Sequence, residues 1–284
     1  FTNEYGYVGV SVVQDELMME GMNEKGLSAG LFYFPDYGKY EEYSEANYET
    51  NISDFQLVSY ILGRCATVDE VKAEIARVHI HGFDPRSSTV HWRFAEPSGR
   101  QIVLEIIDGK CIFYENNLGV LTNSPSFDWQ LTNLNNYVNL LPGRTEPHTI
   151  GNMSLSSFGG GSAMIGLPGD FTPPSRFVRA AFFQSTAPQK PDAEGSVFTA
   201  FHILGSMEIP IGAQFPVDET PADIPSATQC TCVTDMSGLK FYYRSMYDGG
   251  IRCIDLKEID FKKIGLKSEP LVPSRKEFVH HIRF

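Results

Sequence analysis

Asn123 and Arg176 are the side chains that this sequence best places to stabilise negative charge. Asn123 precedes Ser124-Pro125, a step that stops strand pairing because proline has no amide hydrogen. Held there, its side-chain NH₂ can donate to the oxygen that gains charge when a carbonyl is attacked. Asparagines beside such steps also satisfy turns, and residue type alone favours that plainer use. Arg176 follows Pro173-Pro174-Ser175, which reads as a helix start capped by Ser175 or Thr172. A cation at that place favours a nearby thiolate or carboxylate. The ordinary fate of an arginine is a salt bridge, the role expected of Arg179 three residues on.

The other reactive residue types form no convincing set. Cys65, Cys111, Cys230, Cys232 and Cys253 stand at spacings that fit neither a disulfide framework nor a CxxC zinc pattern. A reducing compartment follows as the simpler expectation. Cys230 and Cys232 share one face of a strand, where ordinary packing outweighs a metal or redox pair. His91 lies in a strand, His79 and His81 close a helix, His202 lies inside an apolar helix, and His280-His281 sits near the C-terminus. None has a ligand set, so no metal and no cofactor is expected.

The elements around these residues are legible in outline. Tyr7 to Val13 and Leu27 to Phe34 read as strands, with turn chemistry in the glycine-containing stretch between them. Ser53 and Asp54 cap a helix bearing Leu57, Val58, Ile61 and Leu62, and Thr67 with Glu70 makes a capping box for a second. From Ser88 to Tyr114 the period is two, broken at Pro97-Ser98-Gly99 and Asp108-Gly109, which gives three antiparallel strands. Gly119 to Leu121 is expected to be a short strand that delivers Asn123, before a helical face of Trp129, Leu134, Tyr137 and Val138. Pro147 to Gly166 is rich in Gly and Ser and reads as a long loop without regular structure. Ser175–Ser185 and Val197–Met207 read as helices, and Thr228–Thr234, Leu239–Met246 and Ile251–Leu256 as a second meander. Strands and helices in this order suit stacked α and β layers, an α+β class.

Bulk properties exclude several functions. The 284 residues are 42% hydrophobic and 20% charged, ordinary for a globular protein. A net charge of −12 with scattered Lys and Arg opposes phosphate backbones, so no nucleic acid is expected as partner. No run approaches the ~18 apolar residues of a membrane span, and no signal-peptide pattern is present, so a cytoplasmic protein without a membrane partner is expected.

Three segments carry a resemblance. Gly21-Met22-Asn23-Glu24-Lys25-Gly26-Leu27 running on to Tyr33-Phe34-Pro35, Leu121-Thr122-Asn123-Ser124-Pro125-Ser126-Phe127-Asp128-Trp129, and Gly166-Leu167-Pro168-Gly169-Asp170-Phe171-Thr172-Pro173-Pro174-Ser175-Arg176-Phe177 together resemble the choloylglycine hydrolase family of N-terminal-nucleophile amidases. They occur in the family's order and at compatible separations, and the likeness spans nearly the whole chain, more thinly after Thr234. It implies a four-layer αββα sandwich with antiparallel sheets, in one domain spanning residues 1–284. It also implies hydrolysis of linear amide C–N bonds, in glycine- or taurine-conjugated bile salts or in penicillin-V-like N-acyl substrates. Asn123 and the backbone N–H of Tyr33 would then be the two oxyanion donors, with Arg176 beside the nucleophile. Read as a residue alone, Tyr33 is a strand aromatic packed in the core. The family's bile salt hydrolases tend to carry Asn at its position and its penicillin V acylases Tyr, which leans towards an acylase-like substrate.

The family attacks with a cysteine at the mature N-terminus, whereas these residues begin Phe1-Thr2-Asn3. The resemblance therefore puts that cysteine, with an assisting Arg and Asp, in a segment ahead of Phe1. Thr2 is not expected to replace it, since it falls in a connecting stretch. Residues 147–166 resemble the loop that joins subunits in tetrameric members, implying a homo-tetramer. The alternative is a catalytically inactive binding protein, or a truncated product, that keeps the acyl pocket.

Overall fold

The structure, a computed structural model, describes residues 2–12, 14–84, 88–219, 226–271, 276–279 and 281–283. Its centre is a six-stranded antiparallel sheet in the order β1-β2-β3-β6-β7-β8. These strands are β1 (Tyr7–Val12), β2 (Gln14–Asn23), β3 (Ser28–Tyr33), β6 (Val90–Ala95), β7 (Gln101–Ile107) and β8 (Lys110–Glu115). Between β3 and β6 run β4 (Asn51–Ser53), α1 (Leu57–Leu62), α2 (Val68–Ile75) and β5 (His79–His81). Trp92 and Phe94 of β6 and Ile102, Leu104 and Ile106 of β7 point to the face covered by Leu57, Val58, Ile61 and Leu62 of α1 and Val68, Val71 and Ile75 of α2. Full burial of each large apolar side chain contributes roughly 1.5–3 kcal/mol, so this cluster fixes which face looks inward. A one-residue slip would turn it to solvent.

The opposite face has two neighbours. Val103 of β7 packs with Val120, Phe127 and Phe177, which join α3 (Phe127–Asn133) to α4 (Pro173–Thr186) beside the sheet. Met22, Val8 and Val10, from β1 and β2, meet Phe241 and Ile254 of a second, three-stranded sheet. That sheet comprises β11 (Cys230–Asp235), β12 (Lys240–Ser245) and β13 (Asp248–Asp255). Its outer side, at Tyr242 and Val233, takes Val197 and Phe201 of α5 (Ala193–Gly205). The layers thus run helices, sheet, sheet, helices, the four-layer αββα sandwich of the α+β class expected from the sequence.

Local expectations hold where chemistry is explicit. Thr67 accepts from the Glu70 amide and Glu70 reaches back, the capping box of α2. At Ser53 only the returning arm is made, the Ser53 amide donating to Oε1 of Gln56 at 3.1 Å, ahead of a single 3₁₀ turn that leads into α1. Several expectations fail for identifiable reasons. Strand β2 was not anticipated, because Asp15, Glu16 and Glu20 break its alternation while Leu17 and Met18 are buried side by side near a register shift against β1. The first motif therefore begins inside a strand and ends in a turn.

His79 and His81 lie in β5, which pairs in parallel with β4, rather than closing a helix. Gly119 to Leu121 forms no strand; Asn116 claims its backbone by accepting from the Gly119 amide and donating to the Val120 carbonyl. Trp129 is exposed, and α3 buries Phe127 and Gln130 instead. Within 147–166 the chain makes a hairpin of β9 (His148–Ile150) and β10 (Met153–Leu155) where no regular structure was expected. His280 lies outside the described residues, as does Phe1.

Asn23 explains part of the first motif. Its buried Nδ2 donates to the carbonyls of Leu62 at 2.8 Å and Cys65 at 2.7 Å. Its Oδ1 accepts from the amides of Lys25 at 3.1 Å and Leu27 at 3.0 Å. One carboxamide thereby closes the β2–β3 turn and satisfies carbonyls left open at the end of α1. Asn23→Ala strands these buried groups, so chemical denaturation should show a loss of about 2–4 kcal/mol.

Candidate active site

The path of β3 decides which way its last residue faces. Beyond the end of the ladder, Phe34 donates its amide to the Thr89 carbonyl at 2.8 Å, so alternate residues of β3 bond to β6. Tyr33, opposite Val90, is therefore a non-bonded member of that pair. Val90 turns its own amide and carbonyl to the Tyr40 hydroxyl instead. The amide and carbonyl of Tyr33 consequently face away from β6, towards the segment that carries Asn123.

Asn123 meets them. Its Nδ2 donates to the Tyr33 carbonyl at 2.8 Å, and its Oδ1 accepts from Nη2 of Arg176 at 2.7 Å. A carbonyl only accepts and a guanidinium only donates, so the carboxamide has one workable orientation. Neighbouring bonds hold the frame: Ser124 Oγ donates to the Pro35 carbonyl at 2.6 Å, and Thr122 Oγ1 to the Pro173 carbonyl at 3.1 Å. The structure thus brings all three sequence-predicted residues, Tyr33, Asn123 and Arg176, into one corner.

Arg176 stands in the first turn of α4, where the positive helix end disfavours a cation. Its Nε donates to the Phe171 carbonyl at 3.0 Å. Among the described residues it makes no ion pair, and burial, aided by Arg179, pulls its pKa below the usual guanidinium range. An arginine largely removed from water without a carboxylate is a prepared place for an anion. Arg179 departs from its expected role: it is buried and donates to the carbonyls of Pro168 and Asp170 rather than to a carboxylate. Nor do Thr172 and Ser175 cap α4 directly, since both hydroxyls are taken by Asp170, at 2.6 and 2.7 Å. Asp170, to which the sequence assigned no role beyond its place in the third segment, is what shapes this turn.

Tyr33 departs from the core aromatic that its residue type suggested, the residue being 53% exposed. Phe171, the other residue bonded into the corner through its carbonyl, is 36% exposed, with the Arg179 guanidinium over its ring at 5.5 Å. They offer apolar surface next to the polar groups. All five cysteines are free thiols in strands or turns other than those that build the corner. Among the described residues no group of three or more His, Cys, Asp or Glu side chains is arranged to hold a metal. The corner can receive a carbonyl oxygen and an anion together, which suits acyl transfer to or from a nucleophile.

Known proteins resemble this chain in sequence and fold. The family described as "Linear amide C-N hydrolases, choloylglycine hydrolase family" matches residues 1–269. The bile salt hydrolase/transferase of Clostridium perfringens is 34% identical over 264 residues, 90% of this chain and 78% of that protein. The penicillin V acylase of Pectobacterium atrosepticum is 29% identical over 291 residues, 93% of this chain and 70% of that one. An arginine-to-leucine variant of conjugated bile acid hydrolase from Clostridium perfringens superimposes with a TM-score of 0.86 at 31% identity, covering 100% of this chain and 86% of that chain.

The two hydroxyls and the amide of Thr172 that bind Asp170 hold its carboxyl pKa at about 2, the Thr172 hydroxyl foremost. A folded pKa below the unfolded value means stability that is fully present above pH ~4 and lost as the pH falls. Melting of Asp170→Asn against the parent should show a deficit at neutral pH that closes between about pH 4 and pH 2.

Proposed function

The chain belongs to the choloylglycine hydrolase family of linear amide C–N hydrolases, and on that premise we propose that its corner of Tyr33, Asn123 and Arg176 binds the amide under attack. The carrying observation is the doubly anchored carboxamide of Asn123. Tyr33 uses one of its two amide hydrogens, and the second is the donor offered to the substrate oxygen. The Tyr33 amide, facing the same side, is the other donor. As the nucleophile adds, the carbonyl oxygen becomes anionic and both bonds strengthen, which lowers the barrier rather than merely tightening binding.

The attacking group is a cysteine at the mature N-terminus, on chain ahead of Phe1. Arg176, paired with no carboxylate among the described residues, favours the thiolate over the thiol. The free α-amino group, with a pKa near 8, accepts the thiol proton and passes it to the leaving amine. A thioester intermediate forms, and water then releases the acid. The substrate is a small-molecule amide with a large apolar acyl part, which the exposed Tyr33 and Phe171 contact. Glycine- and taurine-conjugated bile salts are one such class and penicillin V another. The nearer likeness to the bile salt hydrolases supports the first, and Tyr33 supports the second.

The same reading extends to architecture. Residues 1–284 form one domain, and the 147–166 hairpin, with Ile150, Met153, Phe158 and Ile165 exposed, is the surface that joins four copies in the cytoplasm. Among the described residues no helix is long and apolar enough to cross a membrane.

Full-length protein with its N-terminal cysteine should release glycine or taurine from conjugated bile salts, or phenoxyacetate from penicillin V. With that cysteine present and neither reaction detectable, the proposal fails and a binding role replaces it. Asn123→Ala should lower kcat by about 10²- to 10³-fold, the effect of losing one oxyanion donor. Arg176→Ala should move the rising limb of the kcat/KM profile to higher pH, because the thiol loses the cation that lowers its pKa.

A further inference from the structure

A buried polar pair lies directly beneath the corner and takes no part in that chemistry. His91 on β6 and Glu105 on β7 are both fully shielded from solvent, with Nδ1 and Oε1 3.1 Å apart. They stand opposite each other one step beyond the Trp92–Leu104 pair, on the sheet face away from α1 and α2. Nε2 of His91 lies 3.0 Å from the Thr122 carbonyl, which can only accept, so that nitrogen carries a hydrogen. Glu105 Oε1 also accepts from the Phe127 amide at 2.8 Å. Among the described residues Glu105 Oε2 has no hydrogen-bond partner.

The pair reaches both halves of the site. Thr122 immediately precedes Asn123, and the imidazole ring stacks on Phe34, the residue after Tyr33, with centroids 4.4 Å apart and planes 11° from parallel. Phe32, the residue before Tyr33, meets the same ring edge-on at 6.1 Å. Thr122 to Ser126 has no regular structure of its own, yet it is pinned at one end by His91 and just beyond the other, at Phe127, by Glu105. Burying such a pair seldom stabilises a fold more than apolar residues of similar volume would. Its neighbours along both strands, Val90, Trp92, Leu104 and Ile106, are apolar, so nothing in the strand pattern asks for it.

We propose that His91 and Glu105 are positioning residues for amide hydrolysis, setting Asn123 at its distance from Tyr33 so that the second carboxamide hydrogen points at the substrate. This rests on the hydrolase reading. Two substitutions separate the two arms of the imidazole. In His91→Gln the amide nitrogen takes the place of Nε2 and keeps the bond to Thr122. In His91→Asn it takes the place of Nδ1, keeping the side towards Glu105 and releasing Thr122.

In the full-length protein, His91→Asn should lower kcat by about 10- to 100-fold with KM changed less than about twofold, and His91→Gln should restore most of it. The side-chain amide of Asn123, followed by nitrogen-15 NMR, should keep its shifts in His91→Gln and move towards free-amide values, with faster hydrogen exchange, in His91→Asn. Unchanged Asn123 resonances in folded His91→Asn overturn the proposal, as do equal losses of kcat in the two variants. Should His91→Asn not fold, Glu105→Gln takes its place: a loss of kcat at constant KM supports the proposal and parental kcat overturns it. If the parent hydrolyses no amide, the hydrolase reading fails, while the NMR comparison still decides whether His91 holds Asn123.

Discussion

A single carboxamide joins the end of β3 to the first turn of α4. Asn123 links residues 90 and 53 positions away in the chain, through an acceptor on one side and a donor on the other. Because each partner can play only one role, the amide cannot flip without setting donor against donor. Everything around it serves that geometry. The non-bonded position of Tyr33 in the β3–β6 ladder turns its backbone towards Asn123, and the first turn of α4 brings Arg176 to the other side.

Electrostatics give the corner its sign. Arg176 and Arg179 sit three residues apart at a positive helix end, an arrangement that costs free energy until an anion arrives. Asp170 bears on the two unequally: its carboxylate accepts from hydroxyls and an amide and its charge favours the cation of Arg179, which it also meets through its backbone carbonyl. Arg176, by contrast, feels chiefly burial and the repulsion of Arg179. It makes no ion pair among the described residues, which leaves it open to an anion.

Much of the fold was legible because its signals are local. The capping box of Thr67 and Glu70, the turn at Pro97-Ser98-Gly99 and the period-two strands around it follow from hydrogen-bond and side-chain geometry within a few residues. What escaped was set by distant neighbours. Strand β2 exists because β1 and β3 pair with it on either side, despite its three acidic residues. Gly119 to Leu121 has strand-like residues, but Asn116 takes the backbone groups that a ladder would need. The parallel β4–β5 pair spans a two-helix crossover, which no short window reveals. His91 and Glu105 left a usable trace, each a polar residue between apolar ones on strands joined by one hairpin.

The sequence by itself determined the family and the αββα class and singled out Tyr33, Asn123 and Arg176 as candidates, since motif order and residue type survive without coordinates. It left open whether Asn123 served a turn, whether Arg176 was neutralised, and whether Tyr33 was buried. Only the tertiary structure decided these, because each depends on what lies within about 3 Å of one atom. Those atoms come from strands, loops and a helix that meet only once the sheet has set their register.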